Sequence, residues 1–400
     1  MAESEVVTFV VTLVALLLIA AAAAIGLRRT ALPFTVGLVL IGLGLGFVAG
    51  RFSALEQLHS VALSPDIIMF VFLPTLIFES AFNLDSRLLS RNLVPVMVLA
   101  APGLLVSTAV VGVLVWWLTP LNLGPALVFG ALISATDPVA VIALFKELGA
   151  PKRLAILVEG ESLFNDATAI VLFRIVLAVV AGGSLTAATV AQGGADFLYV
   201  FVGGLLVGAA IGYVMIRSIA LAGDEPVVQV ALSTVVAYAA FIAAEHYLHV
   251  SGVMATLGAG VVVGSLGSTR FSSAVRSYLH QFWEYAAFVA NSLIFLLVGL
   301  SVSVSDLSAH LGPIVWALLA VLLARAVVVF GLVPVIERLP GSEPIDRRYR
   351  IVLAWGGLRG AVALALALSL PAEFAQREMV AAFAVAVVLF TLLTGGLTMR

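Results

Sequence analysis

Long apolar runs alternate with short polar breaks along almost the whole chain. A helix needs about 20 mostly apolar residues to cross a bilayer. Thirteen stretches fit that length: 6–27, 31–50, 66–83, 93–118, 123–145, 154–180, 196–217, 226–247, 250–267, 283–304, 309–336, 348–371 and 377–397. The third and ninth are short, and only a few residues part the eighth from the ninth. Segment 53–64 is expected at the membrane interface. The longest polar linker, around Pro340–Arg350, is too short to fold alone. Residues 1–400 therefore read as one transmembrane unit, with neither a soluble C-terminal domain nor a regulatory tail expected.

Composition agrees with this pattern. The chain is 62% apolar and 10% charged, with a mean hydropathy of +1.20. Soluble domains run at roughly 45–50% apolar and 25% charged. The expected fold class is an all-α polytopic membrane protein. The start, Met-Ala-Glu-Ser-Glu, is acidic where a secretory signal would be basic, so the first stretch is expected to remain as a span.

Charge sets the orientation. With thirteen spans, most of the Lys and Arg fall in loops that follow odd-numbered stretches, among them Arg28, Arg29, Arg87, Arg91, Lys152 and Arg153. The opposite loops carry only Arg51 and Arg377. By the positive-inside rule the N-terminus lies outside and the C-terminus in the cytoplasm. No basic patch with interleaved aromatics is present, so nucleic acid is not an expected partner. The chain has no Cys, which excludes disulfides and thiolate metal sites. His246 and His249, the one close His pair, flank a predicted outer turn and read as surface residues. No nucleophile–base set or phosphate loop is visible, so an enzyme is not expected and no cofactor is called for.

Two carboxylates stand inside apolar stretches, where they are costly and mark ion or proton paths. Asp137 lies in Thr136-Asp137-Pro138 of stretch 123–145, and Asp166 in Glu161-Ser162-Leu163-Phe164-Asn165-Asp166 of stretch 154–180. At 1.5 Å per residue they sit about 20 Å and about 18 Å into their stretches, from opposite ends, hence at one depth. Pro138 removes an amide donor and disfavours helix at Asp137. A helix broken there frees backbone carbonyls as cation ligands. A proline kink alone is common, but beside an aspartate it reads as a site. Ser162 and Asp166 are four residues apart and share a helix face, as do Glu161 and Asn165. Hydroxyl and carboxylate oxygens suit a hard cation, and Asn165 orients the carboxylate without adding charge.

Arg359, in Trp355-Gly356-Gly357-Leu358-Arg359-Gly360, reaches similar depth in stretch 348–371. A buried arginine needs a partner, and Glu161 is the expected one. Arg325 needs one too, and Glu79 is its expected partner. Arg174 lies toward the far half of its stretch, where it snorkels to the interface; no role is assigned to it. Stretches 123–145 and 348–371 run in opposite directions, and both are interrupted at mid-depth. Such interruptions in two inverted halves point to a transport site, with stretches one to six and eight to thirteen as the repeats. Gly42, Gly46 and Gly50 form a ladder of small residues, read either as internal packing or as a dimer contact.

Together, Thr136-Asp137-Pro138-Val139-Ala140-Val141, Glu159-Gly160-Glu161-Ser162-Leu163-Phe164-Asn165-Asp166 and Gly357-Leu358-Arg359-Gly360-Ala361-Val362 resemble the monovalent cation:proton antiporter-1 family, the NhaP-like sodium/proton antiporters. Phe72-Leu73-Pro74 through Phe78-Glu79 is similar to that family's third-helix motif, with Thr75 where many relatives have a second proline. The resemblance implies a homodimer of thirteen-helix protomers in the cell membrane. Each protomer would hold a dimerisation domain and a mobile six-helix core, the broken helices crossing at mid-membrane. It implies a Na⁺ site at Asp166, Asp137, Ser162 and the Thr136 carbonyl, oriented by Asn165, and a Glu161–Arg359 pair. It also implies electroneutral exchange of one cation, Na⁺ before Li⁺ or K⁺, for one proton. Electrogenic relatives carry a second acid in place of Asn165 and a membrane-embedded lysine, whereas Lys146 and Lys152 here fall in a cytoplasmic loop. A proton and a cation would compete for Asp166, protonated at low pH and ionised at higher pH. The alternative is a passive cation channel with the same acids as its filter.

Overall fold

In a computed structural model, residues 3–27, 32, 34–49, 67–182, 186–219, 225–301, 310–338, 343–371 and 373–398 are described. Among them every regular element is helical and no strand occurs. Eight helices are long and apolar enough to cross a membrane, and the shorter apolar helices at 34–48, 68–83, 123–133 and 252–267 join them. Segment 53–64, Gly50 and the basic residues Arg28, Arg29, Arg51 and Arg400 lie outside the described residues.

The helices sort by their contacts into two bodies. The first contains α5 (Leu93–Ala100), α6 (Pro102–Leu118), α7 (Leu123–Ile133), α8 (Val139–Leu148), α9 (Lys152–Ala181), α14 (Leu311–Val327), α15 (Val333–Ile336), α16 (Arg347–Trp355), α17 (Ala361–Leu368) and α18 (Arg377–Thr398). The second contains α1 (Glu3–Leu27), α2 (Phe34–Ala49), α3 (Leu73–Asn83), α10 (Ala187–Ile219), α11 (Pro226–Ile242), α12 (Gly252–Arg270) and α13 (Ser273–Ser301). The short α4 (Ser86–Arg91) joins the two, its first turn capped by the Asp85 carboxylate, which accepts from the Arg87 and Leu88 amides.

Local chemistry sets the helix boundaries. Pro138 cannot donate to a helix ladder, and α7 ends just before it while α8 begins just after. α8 stops at Gly149, whose φ of 64° is left-handed, the conformation that closes many helices and that glycine adopts without a Cβ penalty. Pro74 and Pro334 each follow a wide π turn, at Ile68–Phe72 and Val328–Leu332. A proline ring clashes with the carbonyl one turn earlier, and the wider turn relieves that clash.

Gly42 and Gly46 of the glycine ladder pack against another helix of the same chain. A Cβ on Gly42 would come within 2.9 Å of the Gly299 Cα, and one on Gly46 within 3.0 Å of the Leu300 carbonyl oxygen. α2 and α13 thus approach backbone to backbone, which small residues permit.

Candidate functional site

Two breaks build the site. α7 ends at Ile133, residues 134–138 run irregularly, and α8 starts at Val139. α16 ends at Trp355, residues 356–360 run irregularly, and α17 starts at Ala361. The breaks touch, since the Asp137 amide donates to the Leu358 carbonyl at 2.8 Å. Close approach is possible because residue 360 is glycine. A Cβ there would lie 2.6 Å from the Asp137 carboxyl carbon.

Broken helices expose unpaired carbonyls at one end and unpaired amides at the other. Three of these four ends meet a charge of the right sign, as the helix dipole favours. The Arg359 guanidinium donates to the Ser134 and Ala135 carbonyls, both at 3.1 Å, just past the C-terminus of α7. Arg325 donates to the Leu353 carbonyl in the last turn of α16, at 3.1 Å from Nε and 2.6 Å from a terminal nitrogen. The Asp137 carboxylate accepts the Val139 amide at 2.9 Å, at the N-terminus of α8.

These contacts correct the expected ion pairs. Glu161 pairs through both oxygens with Arg325 and not with Arg359. Arg359 forms no salt bridge among the described residues; backbone carbonyls take its charge, and Thr391 Oγ1 accepts its amide at 3.1 Å. Arg325 has Glu161 rather than Glu79 as its partner. The Glu79 carboxylate accepts from Asn83 at 2.7 Å and from Ser80 at 3.3 Å. The reason is geometric: α14 carries Arg325 to the side of α9 that bears Glu161, and the crossing occupies Arg359.

Asp137, Asp166, Ser162 and Thr136 come together as expected, lining one cavity of about 380 Å³. Thr136 is clamped to α9 from three directions. Asn165 Oδ1 accepts the Thr136 amide at 3.2 Å, Asn165 Nδ2 donates to Thr136 Oγ1 at 2.7 Å, and Ser162 Oγ donates to the Thr136 carbonyl. Asn165 thus holds the broken segment in place as well as standing next to Asp166. The Ser162 hydroxyl and the Thr136 carbonyl meet at one spot, beside two carboxylates. Oxygen donors of this kind suit a hard cation and leave nothing for a soft metal.

The cavity lies on the seam between the two bodies. The second body contributes Leu73 and Glu79 from α3, and Glu284, Phe288 and Asn291 from α13. Sequence reasoning did not pick out Glu284, Phe288 or Asn291. A signal was present: the three are spaced i, i+4, i+7, one face of a helix. Along α9 the lining runs from Glu159 through Ser162 to Asp166 and no farther toward Ala181. The cavity therefore extends from Asp166 toward the end of α9 that begins with Lys152 and Arg153. Arg174, to which sequence gave no role, pairs with Glu245. His246 and His249 are exposed, as expected.

Comparison with known proteins gives the family and the fold. The family model described as sodium/hydrogen exchanger, transmembrane, matches residues 13–400. The low-affinity Na⁺/H⁺ antiporter NhaS1 of Synechocystis sp. is 41% identical over 374 residues, 92% of this chain and 68% of the relative. The Na⁺/H⁺ antiporter NhaH of Halobacillus aidingensis is 37% identical over 92% of this chain and 90% of its own. Among solved structures, that of the sodium proton antiporter MjNhaP1 from Methanocaldococcus jannaschii at pH 8 superposes with a TM-score of 0.80 at 21% identity, covering 98% of this chain and 97% of that one.

Proposed function

The chain belongs to the transmembrane sodium/hydrogen exchanger family, and from that premise we propose that it exchanges a monovalent cation, Na⁺ in the first instance, for a proton by alternating access. The observation that carries this reading is the cavity that Asp137 and Asp166 share with Thr136 and Ser162 at the crossing of two broken helices. Na⁺ takes the carboxylates, the Ser162 hydroxyl and the Thr136 carbonyl as ligands. A proton on Asp166 occupies the same charge and excludes the cation.

Charge balance supports a one-for-one exchange. The charges at the crossing itself are the buried guanidiniums of Arg325 and Arg359, the buried carboxylate of Glu161 and the half-buried carboxylates of Asp137 and Asp166. With both aspartates ionised, one negative charge is left over. Either one Na⁺ or one proton cancels it, so the two loaded forms carry equal charge. An empty site keeps its unbalanced charge, which is costly to carry through a low-dielectric barrier.

In this account the body carrying both breaks is the mobile core, and the other body is the dimerisation scaffold of a homodimer. The thirteen spans form two inverted repeats in the cell membrane, N-terminus outside and C-terminus in the cytoplasm. The cavity then faces the cytoplasm. Proteoliposomes loaded with a pH indicator test the function. An imposed Na⁺ gradient drives an opposing pH change, with Li⁺ and K⁺ compared in parallel. Na⁺ flux with no pH change would identify a passive channel.

A further inference from the structure

Arg174 of α9 donates to Glu245, which lies in the π turn Ala243–Tyr247 at the end of α11. The two residues belong to different bodies. Glu245 is anchored in its own body by its second oxygen, which accepts the Gly252 amide at 2.9 Å where α12 begins. The same turn is tied down by the Val250 amide to the Ala244 carbonyl at 2.9 Å, and by the Ser251 amide to the Val200 carbonyl of α10 at 3.1 Å. The carboxylate stands on a fixed post and reaches across the seam. Among the described residues, Glu245 is the only hydrogen-bond partner of the Arg174 guanidinium, which is about half exposed.

The position of this pair matters more than its strength. Arg174 lies about 12 Å beyond Asp166 along α9 at 1.5 Å per residue, on the side the cavity does not reach. There the bodies touch closely, since a Cβ on Gly193 of α10 would come within 2.9 Å of the Ile175 side chain. The seam is open on one side of the aspartates and pinned on the other.

We propose that Arg174 and Glu245 form a latch between the two bodies, closed while the site opens toward the Lys152 end and broken each time the site is presented to the opposite end. The proposal rests on the alternating-access reading above. A half-exposed ion pair is weak, which suits a contact that must open in every cycle; a much stronger one would trap the protein in one arrangement.

The absence of native cysteine makes the test clean. The double variant R174C/E245C is reconstituted and treated with a short bis-methanethiosulfonate reagent that reduction cleaves. Cross-linking is read by the intact mass, one bridging reagent per chain with both thiols consumed, and exchange by the Na⁺-driven pH change. The latch predicts that the cross-linked protein exchanges at least tenfold more slowly than the same protein after reduction, while R174C alone, treated identically, keeps its rate. Full cross-linking with an unchanged rate would overturn it, because the residues would then not separate. Failure to cross-link would also overturn it, because they would not be neighbours. Absence of exchange in the wild-type and reduced proteins would instead remove the functional reading beneath it.

Discussion

Arg325 and Glu161 form a two-armed ion pair inside the membrane-spanning body, and the same guanidinium holds the last turn of a broken helix through the Leu353 carbonyl. Glu161 lies four residues before Asn165 and outside the lining of the cavity that holds the two aspartates. Glu161→Gln should strand a buried guanidinium, at a cost of about 3–5 kcal/mol. The expected outcome is a clear fall in melting temperature in detergent, with exchange lost through destabilisation. Unchanged thermal stability would contradict the pairing.

Gly360 permits the two breaks to meet. In Gly360→Ala the new methyl would need the space of the Asp137 carboxyl group. Displacing one ligand should raise the half-saturating Na⁺ concentration by roughly tenfold or more, equivalent to about 1.4 kcal/mol. The melting temperature should fall as well, because the methyl would also lie 2.3 Å from the Asp137 Cβ, which no side-chain rotation clears. Wild-type Na⁺ dependence in this variant would show that Asp137 is not held by that contact.

The two aspartates should be separable from stability. Asp166→Asn and Asp137→Asn keep shape and remove a charge that no arginine or lysine pairs among the described residues, so both proteins should fold. Asp166→Asn should show no Na⁺-driven pH change in vesicles, and Asp137→Asn little or none. Exchange at the wild-type rate in Asp166→Asn would place the site elsewhere.

Voltage offers an independent check. If the two loaded forms carry equal charge, an imposed potassium-diffusion potential of either sign should leave the exchange rate unchanged. A rate or end point that follows the potential would mean unequal stoichiometry.

Much of this site was legible in the sequence because its signals are local. Pro138 announces a break wherever it falls, and the spacing of Ser162 and Asp166 places both on one helix face. The glycines around Arg359 announced the second interruption in the same way. The contacts that join distant segments were not legible. The Asn165–Thr136 clamp links residues 29 apart in sequence, and nothing in either local pattern names the other. The ion pairs were misassigned because depth alone ranked the candidates, and depth does not say which face of a helix looks at which neighbour. Backbone carbonyls carry no sequence signature, so Ser134, Ala135 and Leu353 could not be foreseen as arginine partners. The wall supplied by α13 was missed because Glu284 lies at the edge of its apolar stretch and reads as an ordinary helix end.

Acid should act on affinity in one direction. A cation requires the ionised carboxylate, so protons compete with it and binding releases them. As pH falls through the titration of the site, the half-saturating Na⁺ concentration should rise, approaching about tenfold per pH unit on the acid side. On the alkaline side it should level off. The maximal rate at saturating Na⁺ should vary far less than the affinity. An affinity independent of pH across the acid range would be inconsistent with competition.

Proton release on cation binding tests the shared site most directly. Na⁺ is added to purified protein in weakly buffered solution, at a pH where the site is protonated, and bound Na⁺ and released protons are measured together. The predicted result is one proton expelled for each Na⁺ bound, with both signals absent in Asp166→Asn. Na⁺ bound without any proton released, at every pH tried, would mean that the two ions occupy the protein together.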